Sequence, residues 1–108
     1  MKPIKRQYID WKKTGKKLQI LREHNDALRR RVCKACKHDK GDCSGECDEC
    51  EYDIDNHISR PELASVFGVS QSVIYNWESG RTAVGLEDIL LYAQISETSL
   101  EDIIVYMK

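Results

Sequence analysis

Five cysteines fall within one 18-residue stretch, CKACKHDKGDCSGECDEC, from Cys33 to Cys50. Cys33-x2-Cys36 and Cys47-x2-Cys50 form two CxxC pairs, with Cys43 between them. Two such turns present four soft sulfurs to one tetrahedral ion, which is the donor set zinc favours. The expected ligands are Cys33, Cys36, Cys47 and Cys50, with Cys43 as the alternate. A second set, Cys36, Cys43, Cys47 and Cys50, stays open and would free Cys33. His38 is an alternative fourth ligand. Four thiolates close the shell, so the ion is expected to be structural Zn2+ rather than catalytic. Iron–sulfur ligation, thioredoxin-like redox chemistry and a metal-free reduced loop are the competing readings. The redox one lacks a surrounding βαβ pattern.

The residues that must position this cluster contain few apolar side chains. Residues 33–57 carry three basic and eight acidic side chains, and the acids include Asp39, Asp42, Glu46, Asp48, Glu49, Glu51, Asp53 and Asp55. Such a segment has too little apolar surface for a core of its own, so a metal is expected to take that role. Its acidic coat repels phosphate. The segment is therefore expected to project as a protein-contact surface or a spacer, with metal or redox sensing as a further possibility.

A second constellation lies downstream, in ISRPELASVFGVSQSVIYNWESGR, residues 58–81. Ser59 is suited to cap a helix whose first turn holds Pro61 and Glu62. Leu63, Ala64 and Phe67 then line one face, and Gly68 stands where a helix ends with positive φ. Ser70 starts a second helix over 71–78, with Val73, Ile74 and Trp77 turned inward. Gln71, Ser72, Tyr75 and Asn76 are left on its outer side. Ser79-Gly80 closes it.

ELASVFGVSQSVIYNWESGR resembles the phage-repressor class of helix-turn-helix proteins, the Cro/repressor or xenobiotic-response-element class. The resemblance implies an all-α, five-helix domain that binds double-stranded DNA as a phage-type or prokaryotic transcriptional regulator. It places helix 71–78 in the major groove, where Gln71, Ser72 and Asn76, with Tyr75 beside them, match positions that meet base edges. Gln and Asn pair with adenine through two hydrogen bonds, which suits that role. Phosphate contacts are implied at Lys16, Lys17, Arg60, Ser70, Arg81 and Thr82. The resemblance also pairs Arg22 with Glu78 and implies a homodimer.

The chain departs from the family between its first and second helices. GKKLQILREHND matches the first helix, yet 25 to 30 residues precede Ser59, and these hold every cysteine. The expected organisation is a single domain over 1–108 with a cysteine-rich insertion at 33–57. Asp10 can cap the first helix near Trp11, but Thr14-Gly15 weakens its opening, so regular helix is expected from Lys16. NDALRRR, Asn25 to Arg31, reads as continuing helix. Leu86, Ile89, Leu90 and Ala93 are expected to face inward from a later helix, with Leu91 and Tyr92 broadening that face, and Ser99 to cap a last one, LEDIIVYM. Ile104 to Met107 are expected to pack inward or to join a dimer face.

The chain has 108 residues and a net charge of −1. That balance conceals an asymmetry. Residues 1–32 carry 11 basic and 3 acidic side chains, whereas residues 58–108 carry 3 and 7. A DNA reader must then draw its positive charge largely from the N-terminal segment, where residues 1–7 form a basic arm. With no apolar run of membrane length and no secretory h-region, a cytoplasmic location is expected. No nucleophile–base pair or open metal site points to an enzyme. The alternative function is a protein-binding adaptor or inhibitor that uses the helical domain and the acidic zinc lobe.

Overall fold

The computed structural model describes residues 4, 6–35 and 58–107. Residues 1–3 of the basic arm, Lys5, and residues 36–57 lie outside the described residues, and with the last go Cys36, Cys43, Cys47, Cys50 and His38. Among the described residues six helices follow one another: α1 Trp11–His24, α2 Asp26–Cys33, α3 Arg60–Phe67, α4 Gln71–Ser79, α5 Leu86–Ser96 and α6 Leu100–Ile103. The all-α expectation agrees with this, but the count is six rather than five.

The additional helix comes from Asn25. Its backbone is extended, its N–H closes α1 on the Leu21 carbonyl, and its Oδ1 accepts from Leu28 N at 2.8 Å to open α2. One residue thus caps both helices and turns the chain between them. The Asn25 Nδ2 donates to the Ser96 carbonyl at the end of α5, 3.1 Å away, which holds the turn against the body of the fold. NDALRRR therefore begins a new helix rather than prolonging the first.

Helix α1 also starts earlier than expected, at Trp11, with Asp10 accepting from Lys13 N at 3.0 Å. Gly15 lies inside it and does not interrupt it. A Cβ there would come within 2.7 Å of the Glu78 carbonyl oxygen, so glycine is what lets α1 approach the backbone of α4 so closely. Thr14 beside it is fully buried, and its Oγ1 accepts from Val105 N at 3.0 Å.

Local signals fix the other ends. Ser59 and Glu62 form a reciprocal capping box at α3, and Gly68 ends that helix at φ 69°. Ser70 caps α4, Gly80 ends it at φ 76°, and Ser99 caps α6. The last helix stops after one turn, at Ile103, rather than running to Met107. Val105 and Tyr106 instead pair antiparallel with the chain entering α1. Asp10 N donates to Val105 O at 2.7 Å and Met107 N to Tyr8 O at 2.8 Å. Ile104 and Val105 are half-buried there, while Tyr106 and Met107 are exposed.

A common core gathers Leu18, Leu28, Val32, Leu63, Ile74, Trp77, Ile89, Tyr92, Ile95 and Ile103. Phe67, Trp77 and Tyr92 pack ring to ring, with centroids 4.6 to 6.2 Å apart. The inner face of α5 is Ile89, Tyr92, Ile95 and Ser96, which keeps Ile89 and Tyr92 of the face expected but not Leu86 and Leu90. Leu86 and Leu90 are 70% and 46% exposed. Because α5 is apolar nearly all round, its periodicity does not single out one side.

Candidate nucleic-acid interface

Helix α4 is held by its inner face. Ile74 is fully buried and Trp77 nearly so, and α4 packs on both α1 and α3. At the end of that face Glu78, itself buried, gathers two arginines. Arg22 Nε donates to Glu78 Oε2 at 2.6 Å and Nη2 donates to Oε1 at 3.1 Å, a bidentate pair from α1. The third Arg22 nitrogen, Nη1, donates to the Ile58 carbonyl at 2.7 Å. Arg60 Nε donates to Glu78 Oε1 from α3, 2.9 Å away. The Arg22–Glu78 pair expected from the sequence is present. A buried network of this kind fixes the angle between helices more than it adds net stability.

The outer side of α4 is polar. Gln71 and Ser72 are exposed in its first turn, Tyr75 follows one turn later at 47% exposure, and Asn76 is half-buried. The Arg60 guanidinium lies over the Tyr75 ring, 5.4 Å from its centroid. Arg60 is thus shared between Glu78 and Tyr75, and only its Nη groups remain for an external partner. The Ser70 side chain accepts from Val73 N at 3.4 Å as the N-cap of α4.

The loop after α4 leaves from the Asn76 carbonyl, which accepts from Arg81 N at 3.0 Å and Thr82 N at 3.4 Å. Both side chains of that pair are exposed. The first turn of α1 lies against this loop, since a Cβ on Gly80 would stand 2.5 Å from Lys12 Cα. Lys12 therefore joins Arg81 at this edge. Lys12 is not among the residues expected there from the sequence, where its only local signal is membership in the basic run around Lys13, Lys16 and Lys17. Lys16 is exposed on α1. Lys17 is directed elsewhere, with Nζ donating to the Asp102 carbonyl at 2.9 Å near the end of α6. Gln71 and Ser72 stand at the start of α4, Arg60 lies against Tyr75 and Glu78 farther along it, and Lys12, Arg81 and Thr82 gather around its end.

Of the cysteines only Cys33 is among the described residues, buried in the last turn of α2. The other expected ligands lie outside them.

Residues 55–103 match a helix-turn-helix family. The matched stretch takes in α3, α4, α5 and α6 and leaves out α1 and α2. No curated protein and no solved structure matches the chain. The family match supports a repressor-like helix-turn-helix reading and a DNA-binding, transcription-regulator type of function. No helix among the described residues is long and apolar enough to cross a membrane.

Proposed function

We propose that the chain is a sequence-specific reader of double-stranded DNA, of the phage-type or prokaryotic regulator kind, with α4 in the major groove. The observation that carries this reading is the construction of α4, whose buried inner face and Glu78 network hold a polar outer side in one orientation. Gln71, Ser72 and Asn76 are the base-reading side chains, with Tyr75 beside them. Lys16, Arg81 and Thr82 face the phosphates, joined by Lys12, while Ser70 contributes from the start of α4 and Arg60 from α3, beside Tyr75. Lys17 keeps its internal bond to α6. The unit acts as a homodimer on repeated half-sites, in the cytoplasm.

Structural zinc belongs to the same reading. The donor chemistry fits: thiolates at Cys33, Cys36, Cys47 and Cys50, or Cys43 in place of one, make a closed shell for the ion. Metal there would tie the end of α2 to the middle of the acidic stretch.

Selection of bound duplexes from a random-sequence pool tests the reading. A recurrent motif is expected, and Gln71→Ala with Asn76→Ala should relax it, each bidentate base pairing removed costing about 1–3 kcal/mol at its own position. Arg81→Ala should instead weaken all duplexes alike and flatten the salt dependence, by about 0.9 in log–log slope for each phosphate no longer neutralised. One finding favours a second reading, the acidic balance of residues 58–108, which suits a protein-binding adaptor. Duplex retention that is weak and insensitive to salt would establish that alternative and overturn the DNA reading.

A further inference from the structure

A groove remote from the polar side of α4 runs between α2 and the C-terminal end of α5. It encloses about 490 Å3 and is lined by Ala27, Arg30 and Arg31 from α2 with Lys34 at its C-cap, and by Gln94, Ile95 and Glu97 from the other wall. The α2 residues fall at i, i+3, i+4 and i+7, so they form one continuous helix face. The opposite face of α2, with Leu28 and Val32, is fully buried in the core. Ala27 and the largely buried Ile95 leave an apolar floor between the cations.

The charges of this groove are matched only in part from within. Asp26 Oδ2 pairs with Arg30 at 2.8 Å, while its Oδ1 accepts from Arg29 at 2.7 Å. Arg31 and Lys34 are exposed and have no ion pair among the described residues. Glu97 is the one acid among the lining residues, at the left-handed C-cap of α5. With Arg30 paired to Asp26, the two remaining cations against one acid favour an anionic occupant.

Its location separates it from the DNA-facing loop. Arg81 and Thr82 precede the N-terminus of α5, whereas Gln94, Ile95 and Glu97 stand at its other end. Eleven residues of helix span about 16 Å. A duplex on α4 and an occupant of this groove would therefore lie at opposite ends of α5. An apolar floor suits a peptide with acidic and apolar side chains better than a sugar–phosphate backbone, which offers charge but no apolar side chain.

We propose that the α2–α5 groove is a docking site for an acidic segment of a partner protein, with one apolar side chain of that segment seated over Ala27 and Ile95 and its carboxylates on Arg31 and Lys34. This proposal does not rest on the DNA reading and concerns a different surface.

The test uses the full chain and a labelled ten-residue peptide of glutamates around a central leucine, followed by fluorescence anisotropy. Saturable binding is expected, with at least a tenfold loss in the double variant Arg31→Glu/Lys34→Glu. Ala27→Phe, which fills the groove without changing charge, should cause a similar loss. Replacing the central leucine with serine should weaken binding several-fold. Both protein variants should keep the helical circular dichroism of the parent, because the altered side chains lie outside the core. Absence of peptide binding would overturn the proposal, as would binding that neither variant weakens. Tighter binding of a ten-nucleotide single strand, abolished in the same double variant, would also overturn it and assign the groove to nucleic acid.

Discussion

At the scale of single residues, the most unusual group is the Tyr92 hydroxyl. Tyr92 is fully buried beneath Phe67 and Trp77, and its oxygen has no hydrogen-bond partner among the described residues. Burial first, and the Glu78 carboxylate second, push its phenol far above the ordinary value near 10. Phenylalanine keeps the ring packing and removes the unpaired polar atom. Tyr92→Phe should therefore be neutral at pH 7 or stabilise by up to about 1 kcal/mol in urea unfolding. The sign of the alkaline effect follows from the raised pKa. Below about pH 10 the phenol is protonated in both folded and unfolded chains, and its contribution to stability is constant. Above that pH only the unfolded chain ionises there, so stability falls by about 1.4 kcal/mol per pH unit from this group. Tyr92→Phe should flatten that alkaline limb. A loss of more than about 1 kcal/mol at pH 7 would mean that the hydroxyl makes a bond worth keeping.

At the scale of elements, the fold turns on how closely α1 crosses α4. Alanine is a better helix former than glycine by about 1 kcal/mol, which by itself favours Gly15→Ala. The geometry opposes it, because the new Cβ would press on the Glu78 carbonyl group, whose oxygen and carbon would be 2.7 and 2.9 Å away. Backbone atoms cannot rotate aside as a side chain would. The helices would have to separate, loosening the bidentate Arg22–Glu78 pair as well. Gly15→Ala should cost about 1–3 kcal/mol in urea unfolding, a net loss despite the gain in propensity. A stability equal to that of the parent would show that α1 and α4 have room to yield. Such an approach joins residues far apart in the chain, and this explains what the sequence does and does not reveal. The helix-turn-helix is legible because its signals are local: Ser59, Gly68, Ser70 and Gly80 each act on residues within a turn of themselves. Arg22 with Glu78 is legible only through family resemblance. The role of Gly15, the hold of Asn25 on Ser96, the pairing of Ile9 with Tyr106, and the diversion of Lys17 to Asp102 all depend on their three-dimensional surroundings. No window of neighbouring residues records them.

At the scale of the whole molecule, the question is whether the cysteine-rich stretch organises the fold or is carried by it. The core draws on both flanks: Leu18, Leu28 and Val32 precede the stretch, and Leu63, Ile74, Ile89 and Tyr92 follow it. Where the chain returns, Ile58 N donates to the Arg22 carbonyl at 3.3 Å and the Ile58 carbonyl accepts from Arg22 Nη1. Both ends of the intervening residues, 36–57, are thus held by the helical body itself. A zinc ion bound through the cysteines would add to this by shortening a connection whose ends the fold already holds. Loop-closure entropy changes slowly with length, by about 0.6 kcal/mol for each doubling, so that contribution is small beside the core. Ion binding adds its own linkage, since a ligand of the folded state alone stabilises in proportion to the logarithm of its excess over Kd. Stripping the metal with a chelator should accordingly lower the thermal midpoint by several degrees while leaving one cooperative unfolding transition and most of the helical circular dichroism. A zinc-dependent finger behaves differently, because it has no other core and unfolds outright without metal. Complete loss of helical signal on chelation would place the ion at the centre of folding and contradict a core shared across α1 to α6. An unchanged midpoint, in protein shown beforehand to hold one zinc per chain, would confine the ion to the stretch between Ala35 and Ile58, with no energetic link to the helices on either side.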